Sequence, residues 1–354
     1  MNRKLRVLFI IPSLIKCGPT NVVFDLTILL INHGHECKVL YFDEKKGNLH
    51  DFPCTVAKIN SDITQYRNFD IIHCHGFRPA KLAFKLKKDN PNIKTVNTIH
   101  SYIFKDFISS YGVLKGFFGS IIYLLYLRKS SALITLSRHA KQYYSKFLST
   151  KLLHVINNTR IMTNTNEISD EDTKSILKFK VNSILLGSIS VINKRKSIET
   201  IITALTTLPK KYKLIIIGDG PQKESLKNLA NSLNITSRVY FLGNRNDAYR
   251  YLSLIDIYIL ASKSEGFPLS LLEAGFYGKQ IICSDLPVVK ESFNDDKDIL
   301  LFKVGSAEEL SKKILAINDY PQLGINCKIK CDTEYSPKVF YKKHLDLYYD
   351  ILNS

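Results

Sequence analysis

The sequence predicts an α/β protein built from two doubly wound parallel sheets, and three observations carry that prediction. Short β-branched runs alternate with helical stretches of ten or more residues, the pattern of parallel strands covered on both faces. This rhythm breaks once, over residues 158–180, where a polar stretch with an acidic cluster separates two such series. A chain of 354 residues also fits two domains of ordinary size.

In the first series, residues 6–11, 37–42, 70–74, 95–99 and 132–136 read as strands. A helix is expected over 21–32, and a Lys-rich helix before residue 95. Residues 1–14 begin like a signal peptide, but the apolar run is short and meets Pro12 and Lys16 without a small-residue cleavage site. They read instead as a buried first strand. The second series has strands at 183–188, 214–217, 238–242, 257–260, 280–284 and 299–302. Helices are expected at 198–208, 223–233, 247–253, 269–277 and 307–318. The domains are therefore 1–160 and 161–336. Open sheets of this kind bind ligands at the carboxyl ends of their strands, so a cleft between the two domains is the expected site.

The seven cysteines are odd in number, scattered, and form no Cys-x-x-Cys pair. They read as reduced thiols, with neither a disulfide framework nor a zinc site. Net charge is +18, and it is lopsided: residues 1–160 hold 24 Lys and Arg against 9 Asp and Glu, a balance of +15. Such a field suits an anionic partner, a phospholipid surface or a pyrophosphate-linked lipid, although Lys-rich decoration of a surface is the plainer explanation. Nucleic acid is not expected, because no recognition motif accompanies the charge. Residues 116–127 (GFFGSIIYLLYL) fall well short of the roughly 20 apolar residues that span a bilayer. Any membrane contact is thus expected to be peripheral.

Chemistry concentrates in residues 265–282 (EGFPLSLLEAGFYGKQII). Glu265-Gly266-Phe267-Pro268 follows a strand and opens a helix. Pro268 suits the first helical turn, having no N–H to leave unsatisfied. Gly266 permits close approach of a ligand. The amides of Gly266, Phe267, Leu269 and Ser270 lie near the positive end of the helix dipole, where diphosphate is held without a metal. Glu273 stands eight positions after Glu265, so two carboxylates frame one helix start. Beside a diphosphate they are expected to face hydroxyls, a sugar at one end and a ribose at the other. The plainer alternative is a capped helix whose acids complement the dipole.

Glu-Gly-Phe, a helix, and a second Glu eight residues on resemble the E-x7-E element of retaining GT-B glycosyltransferases, specifically family four (glycosyl transferases group 1). Other pieces agree in order: DIIHCHG (70–76), TIHS (98–101), LIIIGDGP (214–221), RVYFLGN (238–244) and the long run 252–285. The resemblance covers most of the chain and is most specific over 183–291. It implies two Rossmann-like domains facing across a cleft, with residues 337–354 returning to the first. The first domain would bind acceptor and the second a nucleotide-sugar donor.

By the same resemblance, Glu265 hydrogen-bonds the transferred sugar with the Gly266 and Phe267 amides, and Glu273 holds the ribose diol. The Ser270 and Leu271 amides lie near the phosphates, with Pro268, Leu269, Gly218, Gly18 and Ser188 in the donor-binding set. A cation from GSISVINKRKS (187–197) neutralises the leaving diphosphate: Lys196 is favoured, with Lys194 and Arg195 open. His100 stands where the family places a histidine near the reacting sugar. His73 and His75, two apart on a strand, line the acceptor side, although that spacing also permits a metal.

The chain departs from the family pattern at Ser188, where Arg is common after the glycine. It departs again at 13–21 (SLIKCGPTN), which keeps Gly18 of a usual Gly-Gly pair and places Pro19 beside it, and at 155–161 (VINNTRI). GDGP lacks the third glycine of a dinucleotide fingerprint, and no P-loop is present. The expected activity is retaining, metal-independent transfer of a hexose-type sugar, without a cofactor. The acceptor would be a lipid-linked or surface-polysaccharide precursor, handled in the cytoplasm at the inner face of the membrane. A nucleotide-sugar epimerase or hydrolase of the same fold and an inactive sugar-binding subunit are the alternatives.

Overall fold

The computed structural model describes residues 3–60, 66, 68–162 and 167–354, which divide into two compact units, 1–161 with 336–354, and 162–335. Unit 1 is a seven-stranded parallel sheet among the described residues. Its strands are β1 (Arg6–Ser13), β2 (Glu36–Asp43), β3 (Thr55–Lys58), β4 (Ile71–His75), β5 (Thr95–Ile99), β6 (Ala132–Thr135) and β7 (Leu153–Val155). The order β3-β2-β1-β4-β5-β6-β7 reverses between β1 and β4. Apolar runs explain the central place of these two strands: Val7 through Ile11 and Ile71, Ile72 and Cys74 are all fully buried. A strand covered on both faces has no polar side to offer water.

Helix α1 (Gly18–Asn32) and helix α2 (Phe77–Asp89) follow β1 and β4. Helix α3 (Ile103–Tyr111) and helix α4 (Val113–Leu127) form a tight hairpin on Gly112. They pack so closely that a Cβ on Gly116 would stand 2.5 Å from Ile108 Cα. The apolar stretch 104–127 is therefore two short helices, and no helix among the described residues is long and apolar enough to cross a membrane. Helix α5 (Arg138–Tyr144) lies between β6 and β7.

Unit 2 is a six-stranded parallel sheet among the described residues, in the order β10-β9-β8-β11-β12-β13. The strands are β8 (Ile184–Ile189), β9 (Tyr212–Ile217), β10 (Val239–Gly243), β11 (Ile257–Leu260), β12 (Gln280–Ser284) and β13 (Leu300–Phe302). Its reversal falls between β8 and β11, so ligands are expected at the loops that leave those two strands. Helices α6 (Asp170–Lys180), α7 (Ile198–Thr207), α8 (Lys223–Ser232), α9 (Leu269–Phe276), α10 (Pro287–Lys290), α11 (Ala307–Leu315) and α12 (Leu323–Glu334) complete the unit. One continuous apolar cluster, including Ile201, Leu205, Leu214, Ile216, Ile259 and Leu310, holds sheet and helices together. Each such side chain contributes about 1.5–3 kcal/mol through burial.

Several expectations need correction. The span 158–180 is not all connector: Asp170–Lys180 is helix α6, capped by the Ser169 hydroxyl and carrying Asp170, Glu171 and Asp172 in its first turn. Asp172 then anchors it, with Arg245 Nε at 2.6 Å and the Tyr251 hydroxyl at 2.5 Å. Residues 163–166 of that span lie outside the described residues. Strands β3 and β7 were not expected; they are short edge strands without a long apolar run. Residues 248–253 form a three-ten helix, and the helix expected over 307–318 ends at Leu315.

Helix α13 (Pro337–Asn353) belongs to unit 1. The Tyr349 hydroxyl donates to the Arg3 carbonyl at 2.6 Å, and the Tyr341 hydroxyl meets His35 Nε2 at 3.0 Å. Deeper in, the Tyr348 hydroxyl and His73 Nδ1 share a hydrogen bond of 2.7 Å. His344, His73, His75 and His100 are all held neutral, chiefly because burial penalises their charged form. Burial lowers His344 and His100 to about 4 from an ordinary 6.5. Between these values the unfolded chain binds more protons than the folded one, so stability is full above about 6.5 and falls as pH drops toward about 4. Melting temperature measured across that window should decline, and His344→Phe should flatten the decline. A profile unchanged by the substitution would show that His344 does not drive it.

Candidate functional site at the crest of the second sheet

The loops leaving β8 and β11 meet because the strands are neighbours, with Leu186 opposite Ile257 and Gly187 opposite Tyr258. The first loop contains a three-residue turn, Lys194–Lys196, capped by the Asn193 side chain, which accepts from the Lys196 amide at 3.2 Å. Its carbonyl at Arg195 accepts from the Lys263 amide of the second loop at 2.8 Å. One backbone hydrogen bond thus ties the two loops together.

Side chains reinforce it. Glu265 is 8% exposed, and its carboxylate is nearly enclosed by partners. Lys196 Nζ donates to Oε1 at 2.6 Å, Arg195 Nη1 to Oε2 at 2.8 Å, and the Ser262 hydroxyl to Oε1 at 2.6 Å. Ser262 is itself placed by Ser284 of β12, whose hydroxyl donates to the Ser262 carbonyl at 2.6 Å. Burial raises the Glu265 pKa, but Lys196 and Arg195 more than offset this, so the carboxyl sits below its ordinary value. Two cations against one carboxylate leave the local balance positive.

Of the expected cations, Lys196 and Arg195 therefore converge on Glu265, whereas Lys194 is exposed and reaches no partner among the described residues. Ser188 is 3% exposed inside β8, so its hydroxyl is not at the loop. The residue at the strand exit is Ser190. The glycine of Gly218 is explained by chain packing: its φ is +139°, and a Cβ would lie 1.9 Å from the Ser190 carbonyl oxygen. Gly18 opens α1, and a Cβ there would meet nothing within 4 Å, so packing does not explain that glycine.

Pro268 is the residue before the helix rather than in its first turn, with an extended ψ of 115°. Helix α9 begins at Leu269, so the amides of Leu269, Ser270 and Leu271 are first-turn donors, and none has an acceptor among the described residues. Gly266 is half-buried and Phe267 buried, its ring 5.3 Å from that of Tyr335. Glu273, also 8% exposed, lies on the second turn of α9. Ser262 was missed in the sequence; a hydroxyl three residues before the acid, at a strand end, was the available signal.

His100 follows β5 in unit 1, half-buried, with Nε2 2.8 Å from His75 Nδ1. Both nitrogens of His73 are occupied by hydroxyls, those of Tyr348 and Thr98. Among the described residues no three His, Cys, Asp or Glu side chains converge as a metal-ligand set. In the segment 155–161, Arg160 forms a buried ion pair with Asp25 of α1 at 2.6 Å, a contact unsuspected from sequence.

Two α/β units with this strand order, and an acid–cation cluster at the crest of the second, define a class that the comparisons specify. Residues 17–159 match the family described as Glycosyltransferase Family 4, and residues 169–325 match Glycosyl transferases group 1. The chain belongs to this glycosyltransferase family, and its fold is GT-B. It is 30% identical over 320 residues to the O-antigen biosynthesis glycosyltransferase WclY of Escherichia coli, covering 86% of this chain and 87% of that one. A Campylobacter jejuni N,N'-diacetylbacillosaminyl-diphospho-undecaprenol alpha-1,3-N-acetylgalactosaminyltransferase is 30% identical over 156 residues, 43% of this chain and 41% of that one. Anabaena HepE, solved with UDP and glucose, shares the fold with a TM-score of 0.82 at 16% identity, over 98% of this chain and 99% of that chain.

Replacing Glu265 by Gln should remove the negative charge that holds Lys196 and Arg195 and destabilise the protein by about 1.5–3 kcal/mol, the range for hydrogen bonds to charged groups. Chemical denaturation checks this. Unchanged stability would mean that the cluster does not brace the loops.

Proposed function

We propose that the chain transfers a hexose-type sugar, with retention of configuration, from a nucleotide-sugar donor to a hydroxyl of a lipid-linked or surface-polysaccharide precursor of O-antigen or capsule type. The observation that carries this reading is the buried Glu265 carboxylate with two cations, beside the unpaired amides that open α9. The cluster has the charge for a diphosphate and the acceptor for a sugar hydroxyl. The relatives agree: one is an O-antigen biosynthesis glycosyltransferase, one is named for a diphospho-undecaprenol acceptor, and HepE was solved with UDP and glucose.

In this reading Lys196 and Arg195 stabilise the departing diphosphate, helped by the Leu269, Ser270 and Leu271 amides. Glu265 and the Gly266 and Phe267 amides orient the sugar, Glu273 holds the ribose, and Gly18 allows close backbone approach to the donor. His100 contacts the reacting sugar. The acceptor hydroxyl attacks from the face the diphosphate leaves, and a leaving phosphate oxygen takes its proton. A glycosidase needs one carboxyl whose pKa is raised so that it serves as acid. The lowered pKa of Glu265 argues against that role. The cations do the electrostatic work that a metal performs elsewhere, so activity is expected to survive EDTA.

Thermal-shift screening against UDP-, GDP- and ADP-sugars should identify the donor. With that donor, Glu265→Ala and Glu273→Ala should each lower transfer by about 100-fold or more, the size of a lost transition-state contact. Donor consumed without any acceptor would instead mark an epimerase or hydrolase. Undiminished partner binding, with no transfer by the unsubstituted protein, would mark an inactive subunit.

The acceptor is met at the cytoplasmic face of the inner membrane through the α3–α4 hairpin. Leu114 and Phe118 are 75% and 62% exposed, beside exposed Tyr111, Val113, Ile122 and Leu125. Lys105, Lys115, Arg128 and Lys129 are exposed on the same hairpin or directly after it. An apolar patch fringed by cations suits an anionic lipid surface. Flotation with phosphatidylglycerol vesicles at low salt should recover the protein, and a Leu114→Asp, Phe118→Asp variant should stay behind. Failure of the unsubstituted protein to float would overturn this part.

A further inference from the structure

The carboxyl edge of the unit 1 sheet carries a row of imidazoles, of which only His100 enters the proposed chemistry. His75, the last residue of β4, is 1% exposed. Its Nδ1 lies 2.8 Å from His100 Nε2. Both rings are neutral, because burial disfavours their charged forms. A hydrogen bond between two neutral imidazole nitrogens contains one proton, so one ring donates and the other accepts.

The far nitrogen of His75 decides which. His75 Nε2 is buried and has no hydrogen-bond partner among the described residues. Its surroundings include the rings of Phe9 and His73, centroids 6.5 Å and 4.5 Å away. His73 does not rescue it, because both His73 nitrogens are engaged by the hydroxyls of Tyr348 and Thr98. A proton on His75 Nε2 would strand an N–H donor away from water, and orphaned buried N–H groups are rarer than orphaned acceptors. The proton therefore sits on His75 Nδ1, which donates to His100.

The remaining nitrogen of His100, Nδ1, must then carry the proton of that ring. No group among the described residues hydrogen-bonds it. His100 is half-buried at the end of β5, so this N–H is available to a ligand. We infer that His75 is a positioning residue whose Nδ1–H locks His100 as the Nδ1–H tautomer, so that His100 meets bound ligand as a hydrogen-bond donor. The matching ligand atom is an oxygen with a free lone pair, on a sugar hydroxyl or a phosphate. His100 is thereby barred from acting as a base through Nδ1. The functional half of this inference rests on the placement of His100 at the reacting sugar; the tautomer does not.

Nitrogen-15 histidine labelling and multiple-bond imidazole NMR read the tautomer directly, with His100→Gln assigning the signal. The expected result is a protonated Nδ1 and a bare Nε2 on His100. His75→Leu should move His100 toward the Nε2–H form that a free imidazole prefers. His75→Asn, whose amide N–H stands near the position of Nδ1, should restore Nδ1–H. A His100 protonated on Nε2 in the unsubstituted protein, or a tautomer indifferent to His75→Leu, would overturn the inference. Should His75→Leu not fold, the unsubstituted spectrum decides alone. Transfer activity separates the two readings: His75→Leu should lower it about tenfold, the size of one neutral hydrogen bond, with His75→Asn recovering most of it. The expected tautomer with undiminished transfer would support His75 as the positioning group and remove His100 from the reacting sugar.

Discussion

The Glu265 carboxylate ties together the loops on which the site of the second unit depends. A buried carboxylate is costly unless cations and hydroxyls replace the water it gives up. Glu265 finds all of its partners on loops that are distant in sequence and adjacent in the sheet: Lys196 and Arg195 after β8, Ser262 after β11. The backbone bond between Arg195 and Lys263 brings those loops into register, and the ion pairs hold the acid at the point where α9 begins. Strand order brings the loops together, and the loop contacts then fix the acid beside the helix start. The resulting crest brings together two cations, a buried carboxylate and the unpaired amides of a helix start.

The first unit meets the same problem with neutral groups. The carboxyl ends of β4 and β5 are lined with uncharged imidazoles and hydroxyls, and α13 completes the lining through Tyr348. Neutral donors discriminate among oxygens by geometry and not by charge. The large positive balance of residues 1–160 thus does not come from this edge; it includes the surface cations around the α3–α4 hairpin.

Much of this was legible in sequence, and the failures have physical causes. Central strands were visible because residues such as 7–11 and 214–217 are apolar on both faces. Edge strands β3 and β7, only four and three residues long, carry no such signature because their pairing partner supplies the order. Helix α6 was read as part of a connector because it is polar, although Ser169 followed by three acids is a helix-start signal. Glu265, Glu273 and the Lys196 region were found by motif, whereas Ser262, Ser190 and the Asp25–Arg160 pair lie on no motif and emerge from neighbouring strands and helices.

By itself the sequence determined the class of fold, the helix that opens beside Glu265, and the short stretch that supplies the cation. These are local properties: apolar periodicity, a proline at a helix start, and charges within a few positions. Tertiary structure alone decided that Lys196 and Arg195 share Glu265 while Lys194 does not, that Ser188 is walled inside β8, and that His75 faces His100. Each of those facts depends on which strands lie side by side, and strand neighbours are set by burial across the whole sheet rather than by any one segment.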